Sequence, residues 1–198
     1  MTTRIQKANR KRILDAALDV FSAHGFRGAT LDQIAEAAGL SKPNLLYYFD
    51  SKEAMHRALL SRLLDTWLDP LRMLDPDGDP QSELIAYMRR KLALSRDFPR
   101  ESRLFANEIL QGAPRIEDFI RSDLRDLVDE KAILLRQWAS AGRIAQVDPY
   151  HLIFSIWALT QHYADFSAQI AMIRGDGGDP LDGADAFLVQ LYTRLLTP

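Results

Sequence analysis

The sequence predicts an all-α protein of about nine helices: an N-terminal three-helix helix-turn-helix domain followed by a C-terminal helical bundle. Three observations carry this. Apolar residues recur throughout at three- and four-residue spacing, and no segment sustains the two-residue alternation of a strand. Stretches rich in Gly and Pro, at 75–80, 112–114 and 175–183, separate periodic runs. Residues 31–50 hold two short helical patterns separated by one Gly.

The elements follow in order. Ile13, Leu14, Ala17, Leu18 and Phe21 make an amphipathic first helix that Gly25 is expected to end, with Gly28 in the turn beyond. Thr30, Leu31, Asp32 and Gln33 form a capping box for a short second helix closed by Gly39. Ser41 is the natural N-cap of a third, with Pro43 tolerated in its first turn. Ser51 caps a fourth that runs to about Leu74. Asp75 to Pro80 is a loop. Helices are then expected over 81–96, 99–112, 115–141, 149–173 and 182–196, with breaks at Pro99, Gly112 to Pro114, Gly142 with Pro149, and Gly175 to Gly183.

Composition narrows the function. The 198 residues hold no Cys, which excludes disulfides, thiolate metal sites and a Cys nucleophile and suits a reducing cytoplasm. No apolar run of about 18 residues spans a membrane, and no apolar stretch behind the basic start reads as a signal peptide. The net charge is −2, distributed as +3 over residues 1–60 and −5 beyond. Arg4, Lys7, Arg10, Lys11 and Arg12 precede any acid, so the chain suits contact with a polyanion at one end. A frayed, solvated terminus is the alternative.

Residues 31–50 read LDQIAEAAGLSKPNLLYYFD. Two helices crossing at a tight turn need a small residue at the crossing, met by Ala35, and one tolerating positive φ, met by Gly39. Ile34, Ala38, Leu40, Leu45 and Tyr48 fall at inward offsets. Lys42, Pro43, Asn44 and Tyr47 then point outward, where a recognition helix meets the major groove. Asn can pair with adenine and Lys with guanine. Thr30, Ser41 at its helix start, the Tyr47 and Tyr48 hydroxyls and Lys52 suit phosphates.

In the second half, Phe154, Ile156, Trp157, Leu159 and Thr160 leave little polar face, so their helix is expected to be buried. Trp157, Gln161 and Asp165 lie four apart on one stripe. An aromatic plane beside an amide suits a flat, polar-edged heterocycle. Trp67, on the fourth helix, is a further candidate ligand contact. Core packing with local hydrogen bonds is the alternative for Trp67, Trp157 and Gln161, and pairing with another charge the alternative for Asp165. The stripe Ala184, Phe187, Leu188, Leu191, Tyr192, Leu195 and Leu196 suits packing inward or against a second copy.

The segment ILDAALDVFSAHGFRGATLDQIAEAAGLSKPNLLYYFDSKEAM resembles the head of TetR-family transcriptional regulators over about residues 10–60. It departs at Leu46, where Tyr is common, and at Pro43, where Gly is frequent. SRDFPRESRLFANEILQGAP (95–114), DPYHLIFSIWALTQHYADF (148–166) and Trp67 are similar to the Rut-type pyrimidine-utilisation regulators of that family. The resemblance implies a cytoplasmic homodimer, joined through its last two helices, that binds a pseudo-palindromic double-stranded DNA operator. It also implies release by an effector such as uracil or thymine, no cofactor, and no enzymatic activity. Residues 1–56 are then the DNA-binding domain and 57–198 the ligand-binding and dimerisation domain.

Three rivals remain. A TetR-type regulator of another metabolite or drug has the same head. An enzyme would have to use Glu108, His162 and Asp165, which match no known catalytic spacing. The pairs His162/Asp165 and Asp148/His151 offer a metal only two ligands each. A helical adaptor would leave the recognition face unexplained.

Overall fold

The computed structural model describes residues 4–198 apart from Asp176, which falls in the break expected at Gly175 to Gly183 and lies outside the described residues. These residues are all-helical, with no strand among them. They form two compact units, residues 1–65 with 100–117, and residues 66–99 with 118–198.

The first unit is built on α1 (Arg4–Gly28). It begins well before the apolar stripe, so the basic segment from Arg4 is part of the helix. Ile13, Ala16, Ala17, Leu18, Val20 and Phe21 bury its inner face. The expected stop at Gly25 is corrected to a kink. Gly25 takes φ 65°, which a residue without Cβ adopts without strain, and helical bonding resumes to Gly28. α2 (Leu31–Ala37) opens with the capping box: Gln33 N–H donates to Thr30 Oγ1 at 3.2 Å, and Thr30 N–H to Gln33 Oε1 at 2.8 Å.

The turn to α3 (Lys42–Tyr48) is a Schellman motif. Leu40 N–H reaches Ala35 O and Gly39 N–H reaches Glu36 O, both at 2.9 Å, with Gly39 at φ 61°. Ser41 caps α3 through Asn44 N–H at 3.4 Å. Ile34, Ala35, Ala38 and Leu45 are buried, while Leu40 and Tyr48 are half-buried. α4 (Lys52–Arg72) and α6 (Pro99–Leu110) complete this unit, which takes α4 only to Asp65.

The second unit holds the rest of α4, α5 (Pro80–Asp97), α8 (Arg125–Ser140), α9 (Pro149–Asp165), α10 (Ser167–Arg174) and α11 (Ala184–Leu196). A short α7 (Glu117–Phe119) and a π turn (Ile120–Leu124) lead into α8. Eleven α-helical segments are described rather than nine, because two expected helices are interrupted. The 115–141 helix is divided by the π turn, and the 149–173 helix breaks at Phe166, whose φ of −113° departs from helical geometry. Both halves of each keep helical periodicity, so the pattern alone hides the break.

Trp138 Nε1 donates to Pro76 O at 3.3 Å and Arg143 Nη2 to Gly78 O at 2.7 Å, setting the end of α8 beside the start of α5. Ala145 N–H to Leu196 O, at 2.9 Å, and Gln81 Nε2 to Thr193 O, at 3.0 Å, bring the end of α11 to that same corner. α9 starts there too. α5 and α9 therefore run parallel, with α11 antiparallel to both. The core between them holds Tyr87, Met88, Leu135, Trp138, Ile153, Ile156, Leu188 and Tyr192.

The expected burial of α9 is corrected. Leu152, Ile153, Ile156, Thr160 and Ala164 face the core, Trp157 and Leu159 are half-buried, and Phe154 is 46 % exposed. The α11 stripe divides in the same way. Ala184, Leu188, Tyr192 and Leu196 are buried, while Phe187, Leu191 and Leu195 are exposed. The stripe is wider than one neighbour can cover.

Candidate nucleic-acid interface and effector site

Lys42, Pro43, Asn44, Leu46 and Tyr47 are all exposed on α3. Lys42 Nζ pairs with Asp32 Oδ2 on α2 at 3.0 Å. Such an exposed pair is worth under about 1 kcal/mol, so the ammonium can be exchanged to a phosphate or a base edge. The Asn44 side chain is free of the cap, since its backbone N–H serves Ser41. The Tyr47 ring is 72 % exposed and meets Tyr48 edge-on at 5.1 Å.

Tyr48 is held by the first helix. Asn9 Nδ2 donates to its hydroxyl and Arg10 Nη1 to its carbonyl, each at 2.9 Å. The Arg10 guanidinium also lies 4.0 Å over the Phe49 ring. Arg10 and Asn9 thus brace the end of the recognition helix, a role that charge counting could not show. Lys11 pairs with Asp15, while Arg4, Lys7 and Arg12 are exposed.

Two residues expected at phosphates are turned to the protein. Thr30 Oγ1 accepts from Gln33 N–H and donates to Gln33 Oε1 at 2.9 Å. Lys52 Nζ donates to the carbonyls of Phe26 and Ala29, both at 2.7 Å, and lies 4.4 Å over the Phe26 ring. Its charge neutralises carbonyls at the end of α1.

The same unit holds a buried polar cluster that the sequence did not reveal. Glu108, fully buried on α6, accepts from Arg115 Nη1 at 2.9 Å and from Arg115 N–H at 2.8 Å. Arg115 stacks 3.5 Å over Phe26. His56 Nδ1 stands 3.9 Å from Glu108 Oε2, with Phe21 and Phe26 edge-on to its ring. Burial, then the Arg115 and Lys52 charges, draw the His56 pKa down to about 4. Glu108 is thus an ion-pair anchor, not the acid of a catalytic site.

The candidate effector residues lie in the second unit. Trp67 is buried. Trp157 is half-buried, and its Nε1 donates to the Tyr87 hydroxyl at 2.5 Å. Gln161 is half-buried and its amide makes no hydrogen bond among the described residues. Asp165 is half-buried one turn further on, engaged in contacts of its own. His162 is exposed and stacks on Phe166 at 4.9 Å, and Asp148 caps α9 through His151 N–H at 2.9 Å.

A helix-turn-helix with an open recognition face, joined to a helical body, defines a DNA-binding regulator. The chain belongs to the TetR family of bacterial regulatory proteins: that family's model matches residues 13–59, and the model of the YcdC-like C-terminal region matches residues 60–198. Among curated relatives, the HTH-type transcriptional regulator RutR of Escherichia coli (strain K12) is 51 % identical over 173 residues, 87 % of this chain and 82 % of that protein. SrpR of Pseudomonas putida is 33 % identical over 61 % of this chain and 62 % of its own length.

Among solved structures, a TetR-like regulator from Rhodococcus sp. RHA1 shares the fold at a TM-score of 0.69 and 24 % identity, over 94 % of both chains. AibR, solved with isovaleryl coenzyme A and operator DNA, does so at 0.72 and 21 %, over 96 % of this chain and 99 % of its own. The family consists of transcriptional regulators, not enzymes, which bind operators and small effectors as dimers. No helix among the described residues is long and apolar enough to cross a membrane.

Proposed function

We propose that this protein is a homodimeric repressor that a pyrimidine, uracil or thymine, releases from a pseudo-palindromic operator, so controlling pyrimidine and nitrogen metabolism. Likeness to the Rut-type regulators supports the ligand, and the observation that carries the reading is the Gln161 amide, without a hydrogen bond among the described residues, one turn along α9 from the half-buried Trp157. A pyrimidinedione offers adjacent N–H and C=O groups that one amide matches in both directions. An aromatic wall covers the ring plane. Trp67, Trp157, Gln161 and Asp165 are the proposed ligand contacts.

Residues 1–56 read DNA, and 57–198 bind ligand and dimerise. Lys42 and Asn44 reach base edges, Pro43 and Tyr47 pack on the groove wall, and the α3 N-terminus at Ser41 meets a phosphate. The Tyr48 hydroxyl, which accepts from Asn9, keeps its own proton to donate to that phosphate, whereas the Thr30 hydroxyl, whose proton goes to Gln33 Oε1, and Lys52 hold the scaffold beside it. Exposed Phe187, Leu191 and Leu195 on α11 and Phe154 on α9 supply the dimer face. Ligand favours a spacing of the two heads that no longer fits the operator, by its differential affinity for the two states, about 1–3 kcal/mol per site.

Calorimetric titration with uracil and thymine, against adenine, tests the reading. Micromolar binding of the pyrimidines alone, weakened in Gln161→Ala, supports it. Silence to both pyrimidines overturns the ligand and leaves the DNA-binding class intact.

A further inference from the structure

The inward face of α5 carries three polar residues four apart, Tyr87, Lys91 and Ser95, each no more than 3 % exposed. Tyr87 is satisfied by Trp157. The other two are not. Ser95 Oγ has no hydrogen-bond partner. The Lys91 ammonium lies 4.2 Å over the Trp67 ring and makes neither a hydrogen bond nor an ion pair among the described residues.

The position is costly as a purely structural one. A buried ammonium without a carboxylate keeps little of its hydration, and an aromatic face returns only part of it. Desolvation accordingly lowers the Lys91 pKa to about 7. A methionine would fill the same space without that penalty. The donors also lie at neighbouring heights on two adjacent helices. Because α5 and α9 run parallel and Tyr87 meets Trp157, one further turn along each helix sets Lys91 level with Gln161. Together these residues offer ammonium N–H, hydroxyl and amide beside Trp67 and Trp157.

We propose that Lys91 and Ser95 are ligand-contacting residues of the effector site, which takes a planar ring presenting a carbonyl or carboxylate oxygen to α5. The proposal rests on the α5–α9 effector reading and adds its polarity. A pyrimidinedione fits: one carbonyl meets Lys91 while the imide edge meets Gln161. Cytosine does not, because its amino group replaces one of the carbonyl acceptors.

The test is calorimetry at pH 7 with uracil, thymine, cytosine, xanthine and nicotinate, on wild type, Lys91→Met and Ser95→Ala. Helicity and melting temperature serve as fold controls, with Lys91→Met expected to melt no lower than wild type. The expected result is binding of uracil or thymine but not cytosine. Affinity falls about tenfold or more in Lys91→Met and several-fold in Ser95→Ala, as for removal of a charged and a neutral hydrogen bond. Uracil binding unchanged in both variants overturns the Lys91 and Ser95 assignment while leaving a pyrimidine sensor. If the pyrimidines are silent and xanthine or nicotinate binds with the same loss in Lys91→Met, the assignment holds and the pyrimidine reading fails. Wild type silent to the whole panel overturns both. Should Lys91→Met fail to fold, Ser95→Ala decides alone: unchanged affinity for the bound ring overturns the proposal.

Discussion

Lys52 shows how one residue's role is decided by where its charge is spent. A lysine just after a recognition helix reads as a phosphate contact, yet two carbonyls and a ring already hold this ammonium. Lys52→Met is expected to cost about 1.5–3 kcal/mol of stability by urea denaturation, the value of charged hydrogen bonds. The slope of log affinity for duplex against log salt should stay unchanged, whereas a lost phosphate contact would lower it by about one. His56 makes a second residue-scale prediction. Its pKa is about 4 in the fold against 6.5 unperturbed, so unfolding at lower pH takes up a proton. The contribution is fully present above pH 6.5 and is lost as pH falls towards 4, to a limit of about 3 kcal/mol. Unfolding midpoints in that window should slope with pH in wild type and less in His56→Gln.

At the scale of elements, the short helices of the head depend on their ends. α2 and α3 are each seven residues, too short to persist on propensity. Thr30→Ala removes one half of the capping box and should lower stability by about 1 kcal/mol, read as a shift in urea midpoint. Thr30→Ser should retain most of it. These caps, and the Gly39 turn, were legible because they are local: a hydroxyl and the N–H it accepts from are three residues apart. The kink at Gly25 and the break at Phe166 were not, since each continues the periodicity on both sides. The candidate site divides in the same manner. Lys42, Asn44 and Tyr47 were readable from their offsets to Leu45. Lys91 was not, because burial of a lysine is decided by helices distant in sequence, and neither was the joining of His56 to Glu108 and Arg115.

For the whole molecule, the half of the α11 stripe that the core leaves uncovered argues for assembly. A chain of 22.5 kDa with Phe187 56 % and Leu195 43 % exposed along one helix should sediment at twice that mass at micromolar concentration. Leu191→Asp places a charge on the 36 % exposed centre of this row. It is expected to yield folded monomers by light scattering and to weaken duplex binding at least tenfold, since one head alone reads half a site. A monomeric wild type would remove this interface. The recognition helix is gripped at Ser41, Leu45, Tyr48 and Phe49, whereas the side chains of Lys42, Asn44 and Tyr47 have almost no part in holding it. Grip and the proposed base contacts are therefore carried by different side chains. On that proposed reading, a duplicated copy of the gene can rewrite these three positions while the grip keeps the helix folded, and so acquire a new operator in single, individually viable mutations.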